Sequence, residues 1–213
     1  MTNLESADRS QVRSQLEPVG KEAAYLGAPL FLLGTVLHPA RDGPGVATAG
    51  EIYGITHAIQ SIGLLLVAIS LASTLSSAQV TYGRAGRWAW YGALAGTLMW
   101  FGLLVFDGSH NPVTARFTPD LVHTPADIDT GGALIVFPAL LLFPLGNALL
   151  ALLRPRRTPA VLVGVGAVVY TIGGLLLFVL GPASPLIQIF EVCGAVLYAL
   201  GCVLLARSVR QRP

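Results

Sequence analysis

The sequence predicts an all-α protein, a polytopic membrane bundle of six transmembrane helices with cytoplasmic N and C termini. Of its 213 residues, 54% are hydrophobic and 11% are charged, whereas about a quarter of the residues in a soluble domain are charged. The apolar residues also cluster into segments of about 20 residues, the length that lets a helix cross the hydrocarbon core of a bilayer. The predicted spans are 18–37, 52–74, 88–107, 131–153, 160–181 and 185–206.

The first helix follows a polar start. Residues 1–16 are predicted to form a cytoplasmic tail, and residues 17–213 one six-helix domain. His38-Pro39 follows the first apolar run where a cleavage site of small residues would otherwise stand, so we expect an uncleaved helix rather than a signal peptide.

The connections between the later helices have distinct signatures. Residues 75–87 are expected to form a short basic loop, and Asp107-Gly108 is expected to end helix three. The long connection after it should contain a short helix near 119–123, with helix four starting near 125, because two Thr-Pro pairs are typical of helix starts. Helix breakers at 181–185 predict a tight turn, so helices five and six should form an antiparallel hairpin.

Charged residues sort by face of the predicted bundle. Eleven of the 13 cationic residues fall on one face, and cation-rich short loops stay in the cytoplasm. The opposite face, predicted to be extracytoplasmic at a bacterial plasma (inner) membrane, takes all four histidines and seven of the 11 acids. The net charge of +2 is the sum of two opposed faces, so no nucleic acid is expected as a partner. The histidines are His38, His57, His110 and His123, and the acids are Asp42, Glu51, Asp107, Asp120, Asp127, Asp129 and Glu191.

Two helices carry polar stripes. Tyr53, His57 and Gln60 lie on one side of helix two, and Gln188 and Glu191 begin a similar stripe on helix six. A charged group inside a bilayer is costly when it is unpaired. Glu191 should therefore face the bundle interior, either protonated or paired with His57 or with an arginine from a loop. Such a pair either locks two helices together or forms the floor of a polar cavity.

Three short motifs in the first half of the chain carry a family resemblance. These are His38-Pro39, His57-x-x-Gln60 and Asp107-Gly108. Here the chain resembles uncharacterised small bacterial polytopic membrane proteins with a His-Pro end to helix one, a His-x-x-Gln in helix two and an Asp-Gly at the end of helix three. The resemblance implies a membrane bundle and no particular activity.

The leading hypothesis for function is a membrane enzyme that acts on a lipophilic small molecule, isoprenoid-like or lipid-like, by acid–base chemistry and without a cofactor. Proton-initiated cyclisation or isomerisation would suit a buried carboxyl group beside aromatic rings. The candidate catalytic residues are Glu191, His57, Asp107 and Glu51, and the candidate substrate-binding residues are Tyr53, Gln60, Trp100, Phe101, Phe106 and Gln188.

Two other functions are compatible with the same residues. The outer-face histidines could ligate a metal ion or a haem, although their spacing matches no ligand motif. The polar stripes could instead line the path of a small-solute or proton transporter. The histidines of the metal or haem alternative are His38, His57, His110 and His123.

Overall fold

The computed structural model describes the backbone of residues 3–123, 130–153 and 157–208, and the side chains of 16–73, 83–123, 132–153 and 158–207. The α-helices in these ranges are α1 (Asn3–Val36), α2 (Gly43–Ala49), α3 (Glu51–Phe117), α4 (Thr130–Leu153), α5 (Arg157–Leu180) and α6 (Pro185–Ser208). One turn of 3₁₀ helix covers Pro119–Leu121. The prediction of an all-α bundle is confirmed for the described residues.

Helix α3 folds back on itself at Gly83. This glycine has φ 62° and ψ −154°, a backbone conformation that residues with a side chain rarely adopt. In a straight helix, His57 and Asp107 would lie about 75 Å apart at 1.5 Å per residue. Their side chains are instead in contact at 2.9 Å. α3 is therefore two antiparallel arms, a first arm (Glu51–Ser73) and a second arm (Gly83–Phe117).

The helical segments close into a ring. α1 packs on α3 and on α6, α3 packs on α4, α4 packs on α5, and α5 packs on α6. The ring encloses a layer of aromatic side chains, in which Tyr170 lies 4.9 Å from Phe31 and 5.4 Å from Trp100 between ring centroids. The helices can therefore surround a single interior.

Five helical segments of the described chain are long and apolar enough to cross a bilayer: Glu51–Ser73, Gly83–Phe117, Gly132–Leu153, Thr158–Leu180 and Pro185–Arg207. The antiparallel hairpin of α5 and α6 is present and turns at Gly181, with φ 79°. α1 lies beside these spans but is not one of the five. The region predicted as a polar tail continues α1 as helix from Asn3 onward, because its residues include no helix breaker before Pro18.

Two predicted boundaries are wrong. No loop separates the two arms, since helical hydrogen bonding continues through 75–87 apart from the single break at Gly83. Asp107-Gly108 does not end the second arm, which continues to Phe117. Gly108 is helical because it lies against the first arm, where an added Cβ would be 2.4 Å from His57 Cβ. The predicted short helix near 119–123 is present as the 3₁₀ turn, and the predicted start of α4 near 125 lies outside the described residues.

Glycines set how closely neighbouring helices approach. Gly92 and Gly96 face α4, and an added Cβ at Gly146 of α4 would lie 2.3 Å from the Gly92 carbonyl carbon. Gly92 and Gly96 therefore let the second arm and α4 pack closely within the chain. Close backbone approach of this kind is a common way for helices to associate in lipid.

We expect Gly146→Ala to lower the free energy of unfolding by about 1–3 kcal/mol, because the new methyl group would overlap the Gly92 backbone. The measurement is thermal unfolding in detergent. Gly102→Ala is the matched control, since the nearest atom to its added Cβ is 4.0 Å away. Equal unfolding temperatures for the two variants would contradict the close packing of α4 on the second arm.

Candidate functional site

A cluster of buried and half-buried polar side chains occupies one end of the ring. Its members come from five separate parts of the chain, so no single segment contains the site. They are His38 and Arg41 after α1, Tyr53, His57 and Gln60 on the first arm, Asp107 and Asn111 on the second arm, His123 after the 3₁₀ turn, and Glu191 on α6.

Arg41 and Glu191 form a buried ion pair. The Arg41 Nη2 group donates to Glu191 Oε2, and the two residues are 8% and 4% exposed. The other terminal nitrogen, Nη1, donates to His38 Nε2 at 3.3 Å. Glu191 therefore faces the interior as the sequence predicts, with Arg41 rather than His57 as its partner. The pair ties the segment after α1 to α6.

His57 and Asp107 share a proton. The His57 Nδ1–H donates to the Tyr53 carbonyl oxygen at 2.9 Å, which occupies the single N–H of a neutral imidazole. Its other nitrogen, Nε2, lies 2.9 Å from Asp107 Oδ2. A hydrogen bond at that second contact needs one further proton, carried either by His57 Nε2 or by the carboxyl group. The pair therefore holds a transferable proton between an imidazole and a carboxylate.

The remaining contacts of Asp107 hold it in place. Asn111, one helical turn further along the second arm, donates from Nδ2 to Asp107 Oδ1. The Tyr53 hydroxyl donates to Oδ2 at 3.2 Å, and His123 Nε2 lies 3.2 Å from Oδ1. Both carboxylate oxygens are thus bonded to groups on other parts of the chain, which fixes the side chain in one orientation.

His38 is a hydrogen-bond acceptor toward the cluster. Its Nδ1–H donates to the Pro39 carbonyl oxygen at 2.7 Å, so the lone pair of Nε2 accepts from Arg41 Nη1. Burial, followed by the nearby charges of Arg41 and His57, holds the pKa of His38 well below its usual 6.5. Its neutral Nε2 also lies 3.4 Å from His57 Nε2. Because Arg41 already occupies that lone pair, Asp107 is the acceptor for a proton on His57 Nε2.

His123 links the cluster to the segment that covers it, here named the cap (residues 38–49 and 118–123). Its Nδ1–H donates to the Arg41 carbonyl oxygen at 2.8 Å, and its backbone has φ 59°. Burial alone would lower the pKa of His123, but the Asp107 carboxylate and these hydrogen bonds together raise it above the usual 6.5. A left-handed backbone outside glycine is strained, so these contacts stabilise an unfavourable conformation.

A cavity lies next to the cluster, with about 750 Å³ of empty space when the open solvent at its mouth is included. Polar groups line one end, and apolar side chains of the second arm, α4 and α5 line the rest. Phe178, one of the apolar lining residues, is 45% exposed on the outer surface of the ring. The lining residues are Arg41, His57, Gln60, Trp100, Leu103, Leu104, Phe106, Asp107, Asn111, His123, Val136, Leu140, Tyr170, Gly174, Leu177, Phe178 and Glu191.

The residues singled out from the sequence divide into two groups. Those that line the cavity are Glu191, His57, Asp107, Gln60, Trp100 and Phe106. Tyr53 is buried in the cluster behind the cavity wall, and Gln188 donates to the Thr35 carbonyl oxygen at 2.9 Å. Phe101 packs on the apolar core, and Glu51 is exposed at the start of the first arm. The structure therefore does not bring Glu51, Phe101 or Gln188 into the cavity.

The four histidines do not converge on one point. His110 stacks on Phe106 at 4.8 Å between ring centroids, apart from the other three. Where the structure describes side chains, no three His, Cys, Asp or Glu residues are arranged to hold a metal ion. His38 and His57 have their Nε2 atoms 3.4 Å apart, and Arg41 donates to His38. The two rings therefore face each other directly in this structure.

Several lining residues are absent from the candidates chosen by sequence. Asn111 lies in a stretch predicted to be loop, so its helical spacing from Asp107 was not visible. Arg41 appeared only as a potential partner of Glu191, because its position after His38-Pro39 predicts a surface loop. Tyr170 is the only polar residue on its face of α5 within the described lining, and a lone tyrosine in an apolar helix gives no signal of a site.

Removing one partner of the Arg41–Glu191 pair should lower the free energy of unfolding by more than removing both. We expect Arg41→Met to lower the free energy of unfolding by about 3–5 kcal/mol, because it leaves the Glu191 charge buried and unpaired. Adding Glu191→Leu should recover much of that loss. Chemical denaturation in detergent measures both, with Arg116→Met, an exposed arginine, as the control. Strictly additive losses would show that the two side chains do not interact.

The chain was compared with models of protein families, with curated proteins and with solved structures. None of the three comparisons gives a match. The resemblance to small bacterial membrane proteins stays a prediction. The function is therefore inferred from the geometry of the cavity and the cluster.

Proposed function

We propose that this protein is a membrane-embedded enzyme that moves a proton on a lipophilic small molecule, isoprenoid-like or lipid-like. The observation that carries the proposal is the 2.9 Å contact between His57 Nε2 and Asp107 Oδ2 on the wall of a largely apolar cavity. A general acid and its conjugate base held side by side can add a proton at one atom of a substrate and remove one at another.

Isomerisation fits this pair better than cyclisation of an unactivated polyene. The ion pair with Arg41 favours the charged form of Glu191, so we assign proton donation to His57–Asp107 instead. An imidazolium–carboxylate pair is a mild acid, which suits a substrate with an activated double bond or another easily protonated group. The proton returns to the pair at the end of the reaction, so no second reactant is needed.

The shape of the cavity supports a substrate that enters from the bilayer. The cap covers the polar end, where Val46, Tyr53, Ala115 and Val122 form a small core of their own. The apolar walls continue instead toward Phe178 and Leu177 at the lipid-facing surface. Water is thereby kept from the reacting atoms, which strengthens every electrostatic interaction within the cavity.

The test is proton exchange with solvent. We expect the purified protein, in membranes of its host lipids in D₂O, to introduce deuterium into a lipid-soluble molecule. His57→Gln and Asp107→Asn should each slow the exchange by about 10²–10⁴-fold, the usual contribution of a general acid or base. Glu22→Gln, an exposed carboxyl outside the cavity, is the matched control. Mass spectrometry of extracted lipids measures the label.

Two results would contradict the proposal. One is exchange at equal rates in the wild-type protein and both site variants. The other is the absence of exchange in the wild-type protein when thermal unfolding shows that it is folded. His57→Gln and Asp107→Asn need the same unfolding control, because both residues also hold the two arms of α3 together.

We further propose that α1 is a sixth span, that both termini are cytoplasmic and that the site lies near the extracytoplasmic side of a bacterial plasma membrane. The support is the distribution of cations: Arg84 and Arg87 follow the Gly83 turn, at the end of the bundle opposite His57 and Asp107.

Cysteine labelling tests this orientation. In a background of Cys193→Ala and Cys202→Ala, we expect Asp120→Cys to react with a membrane-impermeant maleimide added to intact cells. Arg84→Cys should react only after the cells are opened. The reverse pattern would invert the proposed orientation.

A further inference from the structure

Three buried polar atoms of cavity-lining residues have no hydrogen-bond partner within the described structure: Gln60 Oε1, an acceptor, and two donors, the Nε–H of Arg41 and the Nε1–H of Trp100. The Gln60 and Arg41 atoms are the two that belong to the polar cluster. Gln60 and Arg41 are 1% and 8% exposed, and both side chains line the cavity. Leaving such a group unsatisfied costs about 1–3 kcal/mol, so each atom marks a position where a bound molecule would gain a hydrogen bond.

The orientation of the Gln60 amide follows from its neighbour. The Thr35 hydroxyl donates its single proton to the Phe31 carbonyl oxygen at 2.9 Å, so only its lone pairs face Gln60. Gln60 must therefore present its NH₂ group to Thr35 Oγ1, at 3.2 Å. The amide oxygen is left as the group without a partner. The free atom is thus an acceptor, fixed by the hydrogen bonds around it.

The charges on the wall disfavour an anionic ligand. Arg41 is the one arginine or lysine among the described lining residues, and it is paired with the Glu191 carboxylate. Asp107 adds a second carboxyl group to the same wall, and it is paired with His57 and His123. A phosphate or carboxylate on the ligand would therefore meet two carboxyl groups whose cationic partners are already bonded to them. A cationic ligand would meet the Arg41 Nε–H.

We propose that Gln60 and Arg41 form a binding site for the uncharged hydroxyl group of a lipophilic alcohol, whose apolar part lies against Trp100, Leu103 and Phe106. A hydroxyl group both donates, here to Gln60 Oε1, and accepts, here from the Arg41 Nε–H. This inference names the substrate class of the proposed enzyme and so rests on the proposed function. It does not depend on which bond the enzyme changes.

Equilibrium binding of radiolabelled farnesol to the full chain in phosphatidylcholine nanodiscs tests the proposal, with empty nanodiscs as the background. The competitors are farnesyl methyl ether, which accepts but cannot donate a hydrogen bond, and farnesyl phosphate, which is anionic. We expect farnesol to bind about tenfold more tightly than either, the value of one buried hydrogen bond near 1.4 kcal/mol.

The variant Gln60→Leu separates a binding role from a structural one. It should weaken farnesol binding about tenfold and leave binding of the methyl ether unchanged, because the ether makes no bond to Gln60. Ser61→Ala is the matched control: Ser61 follows Gln60 on the first arm, is buried, and does not line the cavity. It should leave the preference for farnesol intact.

Three results would overturn the hydroxyl site: binding of farnesol no greater than that of empty nanodiscs, equal or tighter binding of the ether or the phosphate, or equal weakening of all three ligands by Gln60→Leu. The last would show that Gln60 acts only in packing. Binding is measured without turnover, so a farnesol preference in a protein that lacks deuterium exchange would support the hydroxyl site and count against the proposed enzyme alone.

Discussion

The buried ion pair of Arg41 and Glu191 is the interaction on which the rest of the site depends. A lone charge in the interior of a membrane bundle would be expelled or neutralised. Each of these two is stable where it is because the other is present. Arg41 also fixes the position of the cap, because its carbonyl oxygen accepts a hydrogen bond from His123 and its Nη1 group donates one to His38. The ion pair therefore holds the cap, with His38 and His123, and α6 in one arrangement.

Charge pairing explains why the remaining polar groups can be buried. Arg41 is paired with Glu191, and Asp107 is in contact with both His57 and His123, the second of which has its pKa raised by this carboxylate. His38 stays neutral because its surroundings lower its pKa. A cluster whose charged groups are all paired can still hold a mobile proton. That combination is what acid–base chemistry in an apolar cavity requires.

Much of the site was predictable, and the misses have physical causes. The helical repeat alone predicts the stripe of Tyr53, His57 and Gln60. The free-energy cost of an unpaired charge in lipid predicts that Glu191 faces the interior. The prediction of a loop at 75–87 is wrong because a single glycine can reverse the direction of a helix without a run of turn residues. The prediction that a helix ends at Asp107-Gly108 is wrong because glycine often ends a helix in solvent but is favoured inside a helix where another helix packs closely against it. That error hid Asn111, whose role depends on the helix continuing past Gly108.

The direction of entry to the cavity follows from what holds the cap closed. Opening the cap would break the Arg41–Glu191 pair and the bond from His123 to the Arg41 carbonyl oxygen, and would expose two buried charges. Parting the apolar side chains around Phe178 and Leu177 breaks no hydrogen bond of the cluster. Lipid tails can replace those apolar contacts at little cost, because they are as apolar as the side chains themselves. In the proposed enzyme, a lipophilic substrate would therefore reach His57 and Asp107 most easily from the side, with its apolar part still in the bilayer and its polar group leading.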